Sequence, residues 1–234
     1  MTISLIISTY NWPDALKRVL EGVRNQKILP DEVIIADDGS TEDTREVIEL
    51  EACDFPVPLH HVWHEDHGFR RAEIMNKAIA SAHGDYIVQL DGDCIPDKRF
   101  IKDHREMREK GYFVCGSRVM LKENGNIKAS HFLNMLRSRL LRYWYAHRRT
   151  TFSRRHVRGC NLAFWRMDFI DVNGYNEDIT GWGCEDHDLV YRMIFNGMKE
   201  HRLKFGGNYI SYMASISVKS KYKQQQCCYE RYCS

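Results

Sequence analysis

The chain has 234 residues, 43% hydrophobic and 28% charged, with 5 Pro and 15 Gly. That composition excludes a disordered, collagen-like or low-complexity chain and fits one globular domain or two small ones. Lys and Arg total 34 against 32 Asp and Glu, a near-cancellation that by itself argues against a nucleic-acid protein.

The first half alternates apolar strand runs with helical patterns. Ile3–Ser8 is a short β-branched run, and Pro13 at a first helical position opens a helix with Leu16, Val19, Leu20 and Val23 on one face. Glu32–Asp37 is a second strand, and Ser40 with Asp43 three residues on predicts a capped helix carrying Val47, Ile48 and Leu50. Leu59–Trp63 is a third strand, Ala72–Ala82 a helix, and Tyr86–Leu90 a fourth strand stopped by Asp91-Gly92-Asp93. Such alternation predicts an α/β fold with a mostly parallel central sheet flanked by helices. The second half is less regular. Tyr112–Met120 and Gly159–Trp165 read as strands, Met167–Val172 as a short helix and Glu185–Phe195 as a helix closed by Asn196-Gly197.

The charge is unevenly spread. From Asn124 to Met167 there are ten basic residues and no acidic one, which leaves 24 basic against 32 acidic residues elsewhere. Within Leu133–Arg158, Tyr143, Trp144, Tyr145 and Phe152 interleave with arginines. Two readings stand: a solvated helical face whose leucines pack on the domain, or an interfacial helix on an anionic leaflet. RNA binding is a weaker third reading, because no RNA-recognition motif accompanies the patch. Of the eight cysteines none forms a C-x-x-C pair, so they read as reduced, buried thiols. No signal-peptide pattern or spanning apolar run is present, and the expected location is cytoplasmic.

Ligands of open α/β sheets bind beyond the carboxyl ends of the strands. Three strands end there in polar residues: Ser8-Thr9-Tyr10-Asn11, Asp37-Asp38-Gly39-Ser40 and Asp91-Gly92-Asp93. Paired carboxylates at a strand end suit Mg²⁺ or Mn²⁺ shared with substrate phosphates. In Gly181-Trp182-Gly183-Cys184-Glu185-Asp186-His187-Asp188, three acids fall in the first turn of a helix. Their mutual repulsion suits a general base, and the Trp offers an apolar face to a sugar ring. The histidines at 60, 61, 64 and 67 lack the spacing of a zinc site and read as solvated or substrate-side.

The runs Ser4–Asn11, Ile35–Thr41 and Leu90–Asp93 resemble glycosyltransferase family 2, with its GT-A fold. Gly159-Cys160-Asn161, Val172-Asn173-Gly174-Tyr175 and Gly181–Asp186 are similar to the galactosyltransferase region of β-1,4-galactosyltransferases and chondroitin-type polymerases, and Phe69–Asn76 to their donor-binding segment. The resemblance covers residues 3–205. It implies that Ser8 and Tyr10 contact the base and ribose, that Asp38 accepts from the uracil ring, and that Arg71 meets the ribose or diphosphate. It further implies that Asp91 and Asp93 hold the ribose and a Mn²⁺ or Mg²⁺ ion. Trp182, Gly183 and Glu185 would shape the acceptor site, and Asp186 would deprotonate the acceptor hydroxyl.

One departure stands out. The galactosyltransferase region that these motifs resemble places a further metal-ligating His after the acidic helix, and Gly207–Met213 contains none. The chain therefore divides into a donor-binding half (1–120), a basic aromatic insert (121–158), an acceptor-binding and catalytic half (159–206) and an atypical tail (207–234). The expected function is inverting transfer of a hexose or N-acetylhexosamine from a nucleotide-diphospho-sugar donor to a saccharide or lipid-linked acceptor, in bacterial surface polysaccharide or lipopolysaccharide synthesis. The competing reading is a non-catalytic nucleotide-sugar-binding protein with a degenerate metal site. No nucleic acid is expected as a partner.

Overall fold

A run buried on both faces becomes a central strand because alternate side chains enter opposite cores. A computed structural model, which describes residues 1–116, 118–120, 157, 159–181, 183–203 and 209–211, shows this in β1 (Ile3–Thr9). Ile3, Leu5 and Ile7 join one core with helices α1 (Pro13–Arg24), α2 (Glu42–Ala52) and α4 (Phe100–Met107). Ile6 joins the other with α3 (Arg71–Ser81), α5 (Arg166–Asp171) and α6 (Glu185–Phe195). Val33 and Ile35 of β2 (Glu32–Asp37) enter the first core, and Ile34 and Ala36 the second. Helices therefore cover both faces of the sheet, as the alternating pattern requires.

The main sheet is completed by β3 (Leu59–Trp63), β4 (Tyr86–Asp91), β6 (Tyr112–Gly116), β8 (Asn161–Trp165) and β9 (Lys199–Leu203). Its order is β3-β2-β1-β4-β8-β6-β9. Only β8 runs against its neighbours. Strand order reverses at β1, so the crevice between the ends of β1 and β4 is the topological switch point where such sheets bind ligands. A small second sheet holds β5 (Cys94–Pro96), β10 (Tyr209–Ser211) and β7 (Arg118–Met120), in the order β5-β10-β7. Ser211 pairs with Cys94 in that sheet. Tyr209–Ser211, in the stretch where the sequence resemblance leads one to expect a His, thus runs beside the strand that follows Asp93.

Three readings need correction, and one helix was missed. The Tyr112–Met120 run is two strands in two sheets, β6 and β7. Helix α2 starts one residue later than a Ser40 cap implies, with Thr41 at the N-cap. Ser40 instead accepts the Asn11 amide on its Oγ at 2.9 Å and donates its own amide to Asp37 Oδ1 at 2.9 Å. Cys94, Cys115 and Cys160 are buried thiols, but Cys53 is exposed. Helix α4 was not expected, because its inward face includes polar Asp103 and His104, 2% and 0% exposed. The basic segment lies almost wholly outside the described residues. No helix among the described residues is long and apolar enough to cross a membrane.

Buried His104 gives the fold an acid sensitivity. Burial holds its imidazole down at about 4, against a hydrogen bond to Asn161 that raises it. The unfolded chain, with an ordinary value near 6.5, takes up the proton first. Stability present above pH 6.5 is therefore lost as pH falls toward 4, by about 3 kcal/mol if the proton is fully excluded. Urea-unfolding midpoints across that range should fall, and His104→Gln, which keeps a donor for Asn161, should flatten the profile.

Candidate active site

The strand ends meet as the sequence pattern requires. Ser8 and Asp91 are direct partners in the β1–β4 register, and Ser8 Oγ donates to Asp91 Oδ1 at 3.0 Å. The amide of Gly92 donates to the Ser8 carbonyl at 2.7 Å. A Cβ at position 92 would stand 2.8 Å from that oxygen, so glycine permits the turn between the two aspartates. Asp93 follows on the rim, where its Oδ1 accepts from the Cys94 thiol at 3.1 Å.

At the end of β2 the two aspartates divide. Asp37 is fully buried and structural, accepting from Ser40 and pairing with His61 at 2.9 Å. Asp38, also buried, is held by His64 Nε2 at 2.8 Å and by the Arg70 amide at 3.0 Å. Burial raises its pKa, while those two bonds pull the other way. Tyr10 is exposed on the rim and donates to Asp66 at 2.9 Å. The loop bearing Asp66 packs on Gly39, whose φ of +91° and lack of Cβ both favour glycine.

Arg71 joins the two halves. It opens α3, where the helix dipole disfavours a cation, and carboxylates on three sides compensate. Its guanidinium reaches Asp91 at 3.2 Å, Asp186 at 3.0 Å and Glu185 at 3.6 Å. Burial lowers the Arg71 pKa, but the pull of Asp186 and Asp91 outweighs it, so the group is firmly cationic.

Asp186 sits in the first turn of α6, where the dipole favours an anion. Its side chain is 18% exposed. Besides Arg71, it accepts from the Gly159 amide at 3.0 Å and lies 3.2 Å from the Tyr175 hydroxyl. A phenol carries one proton, and Gln89 Oε1 stands 2.8 Å from the same hydroxyl. Turning the Gln89 amide over makes its Nε2, a buried nitrogen otherwise without a partner, the donor to Tyr175. The phenol proton then points at Asp186. Burial and the nearby Asp186 charge push the Tyr175 pKa well up, so it stays a donor.

The three acids of α6 do not act together. Glu185 turns inward, 2% exposed, with Oε2 on the Gly183 amide at 2.8 Å. Burial, then the Asp186 charge, raises its pKa. Asp188 instead pairs with Arg192 along the helix at 2.6 Å, so the reading of three clustered carboxylates reduces to two. Gly183 is placed by Glu185, and Trp182 lies outside the described residues. Sequence reasoning met His64 only within a histidine run read as solvated or substrate-side, and did not single out Gln89, Gly159 or Tyr175 as site residues. The signal for the last two was present, since both stand inside quoted motifs.

The donor set suits the ion implied by the motif. Asp91, with its side chain 37% exposed, and Asp93 offer oxygen ligands beside the switch-point crevice, the chemistry that Mg²⁺ and Mn²⁺ prefer.

Comparison with known proteins agrees with this architecture. The pattern of glycosyl transferase family 2 matches residues 4–172, and one described as the N-terminal domain of galactosyltransferase matches residues 144–216. Chondroitin synthase of Escherichia coli is 25% identical over 83% of this chain and 32% of its own length. Validoxylamine A glucosyltransferase of Streptomyces hygroscopicus is 26% identical over 84% of this chain and 48% of its own. The chain thus spans a third to a half of these curated relatives. Staphylococcus aureus TarS 1-349 superposes with a TM-score of 0.67 at 17% identity, covering 90% of this chain and 60% of that one. A Pyrobaculum calidifontis mannosyltransferase, solved with GDP-Man and Mn²⁺, gives 0.68 at 16%, covering 94% and 59%. With a sheet and switch-point crevice of this kind and a family pattern over most of its length, the chain belongs to glycosyltransferase family 2 and has the GT-A fold.

Proposed function

We propose that the protein is a metal-dependent, inverting glycosyltransferase that moves a hexose or N-acetylhexosamine from a nucleotide-diphospho-sugar, foremost a UDP-sugar, to a saccharide or lipid-linked acceptor. The observation that carries the reading is the Asp91–Arg71–Asp186 bridge. One buried guanidinium ties the strand end that meets the donor to the helix start that carries the base. Ser8, Tyr10 and Asp38 line the same crevice and receive the base and ribose. Asp186 takes the proton of the acceptor hydroxyl, and Arg71, Tyr175 and the Gly159 amide hold its carboxylate in one orientation for in-line attack. Glu185 fixes the Gly183 turn, and the acceptor is received by Trp182 together with Gly183 and Glu185. Asp91 and Asp93 would hold Mn²⁺ or Mg²⁺, which neutralises charge on the leaving diphosphate. A structure of the same fold supports the donor class, since Staphylococcus aureus TarS has been solved with UDP-GlcNAc.

Nucleotide release from a panel of nucleotide sugars, measured with Mn²⁺ and with saccharide acceptors, tests the reading. One UDP-sugar should turn over, stop on chelation and recover when Mn²⁺ is restored. Nucleotide binding without release from any donor over the acceptor panel overturns it in favour of a binding-only protein. Bacterial surface polysaccharide is the pathway this reading favours, through the chondroitin synthase relative. The basic segment 121–158 is proposed to rest on an anionic leaflet. Co-sedimentation with anionic vesicles, lost in high salt and absent with neutral ones, is the expected result.

A further inference from the structure

Two thiols stand where the proposed chemistry has no use for them. Strand β8 pairs antiparallel with β4 through Leu90↔Asn161, and the next step of that register sets Cys160 across from Asp91. Cys94 opens β5 directly after Asp93. As a result, ligand atoms of Asp91, Cys94 and Cys160 all lie within 4.8 Å of one another. Both cysteines are buried, at 2% and 9% exposure, while the Asp91 side chain is 37% exposed and gives a route in from the crevice. Ser8 and Arg71 both bond Asp91 Oδ1, and among the described residues Oδ2 remains for a cation.

Two sulfurs and one carboxylate are not the ligand set of Mg²⁺ or Mn²⁺. Thiolates select thiophilic ions, and ligands about 2.0–2.3 Å from one Zn²⁺ ion fall within the observed mutual reach. We propose that Asp91, Cys94 and Cys160 form a site for a thiophilic divalent cation, Zn²⁺ above all, that shares Asp91 with the donor crevice. Binding releases the two thiol protons to solvent and leaves the fourth position to water. An ion there draws Asp91 away from the hard-metal site, so Zn²⁺ opposes Mn²⁺. That consequence rests on the proposed donor role of Asp91, whereas the site itself does not.

Co²⁺ titration of the full chain under reducing conditions is the test, with Cys53, Cys184, Cys227, Cys228 and Cys233 changed to Ser so that their thiols give no bands. One equivalent should bring near-ultraviolet sulfur-to-cobalt charge-transfer bands together with tetrahedral visible bands. Cys160→Ser should remove them without altering the thermal melt. Asp91→Asn, at a half-exposed position that needs no repacking, should weaken binding by at least the roughly 10–100-fold seen for loss of an outer-shell partner. A spectrum without thiolate bands, or one unchanged by Cys160→Ser, overturns the site. Zn²⁺ should also inhibit sugar transfer, with relief by excess Mn²⁺. Thiolate bands without inhibition uphold the site and overturn Asp91 as the shared ligand. Mn²⁺-supported turnover in a chain that shows no bands sinks the site and leaves the glycosyltransferase reading standing.

Discussion

Asp186→Asn is expected to lower kcat about 10²–10⁴-fold, the range that general-base catalysis supplies, with nucleotide affinity nearly unchanged. The amide has the shape of the carboxylate but only one oxygen, which can stay on the Oδ1 side with the Tyr175 hydroxyl and Arg71 while the Gly159 amide on the Oδ2 side loses its acceptor. The side-chain amide cannot take a proton from an acceptor. Arg71 loses one anionic partner but keeps Asp91 at 3.2 Å and Glu185 at 3.6 Å, so its position at the donor end holds. Turnover is read as nucleotide released with acceptor present, and affinity by calorimetry with UDP. Turnover retained near the parent rate removes Asp186 as the base. A loss of nucleotide affinity in step with kcat assigns it to donor binding instead.

The first half of the chain was legible because its signals are local. Apolar β-branched runs gave β1, β2, β3 and β4 to within a residue, and polar strand ends named Ser8, Asp38, Asp91 and Asp93. What the sequence hid was the side chains that hold those residues. His64 reaches Asp38 from the segment after β3, and Gln89 reaches Tyr175 from within β4. Such contacts span separations of 26 and 86 residues, and no periodicity encodes them. The missed elements share a second cause. Helix α4 buries Asp103 and His104, and β9 buries His201 and Arg202, so each places polar letters where a pattern reading expects apolar ones. Asp186 was named through its motif, yet the reason first given for its chemistry, three crowded acids, fails because Asp188 belongs to Arg192. Its environment is made by a cation from α3, a phenol from the segment after α5 and one amide from the turn before β8.

That amide leads to the second large effect. Gly159→Ala is expected to cut kcat about 10²-fold, the order of loss for a catalytic group displaced by about 1 Å, while donor KM changes little. A Cβ at Gly159 would lie 2.1 Å from Asp186 Oδ1 and 2.2 Å from Oδ2, so the carboxylate has to leave its place on the Gly159 amide and turn from Arg71. Ser8 and Asp38 stand on other strand ends and are untouched. Overpacking also costs stability, about 1–3 kcal/mol, and that cost has to be separated from the catalytic one. Gly116→Ala provides the control. Its Cβ would meet the Asn161 side chain at 2.1 Å in the same sheet, but Asn161 holds His104 rather than the base. The two variants should therefore melt lower by similar amounts, and only Gly159→Ala should lose turnover. Equal kcat losses in both would assign the effect to sheet packing. An unchanged kcat in Gly159→Ala would mean that the reacting carboxylate is not the one this amide holds.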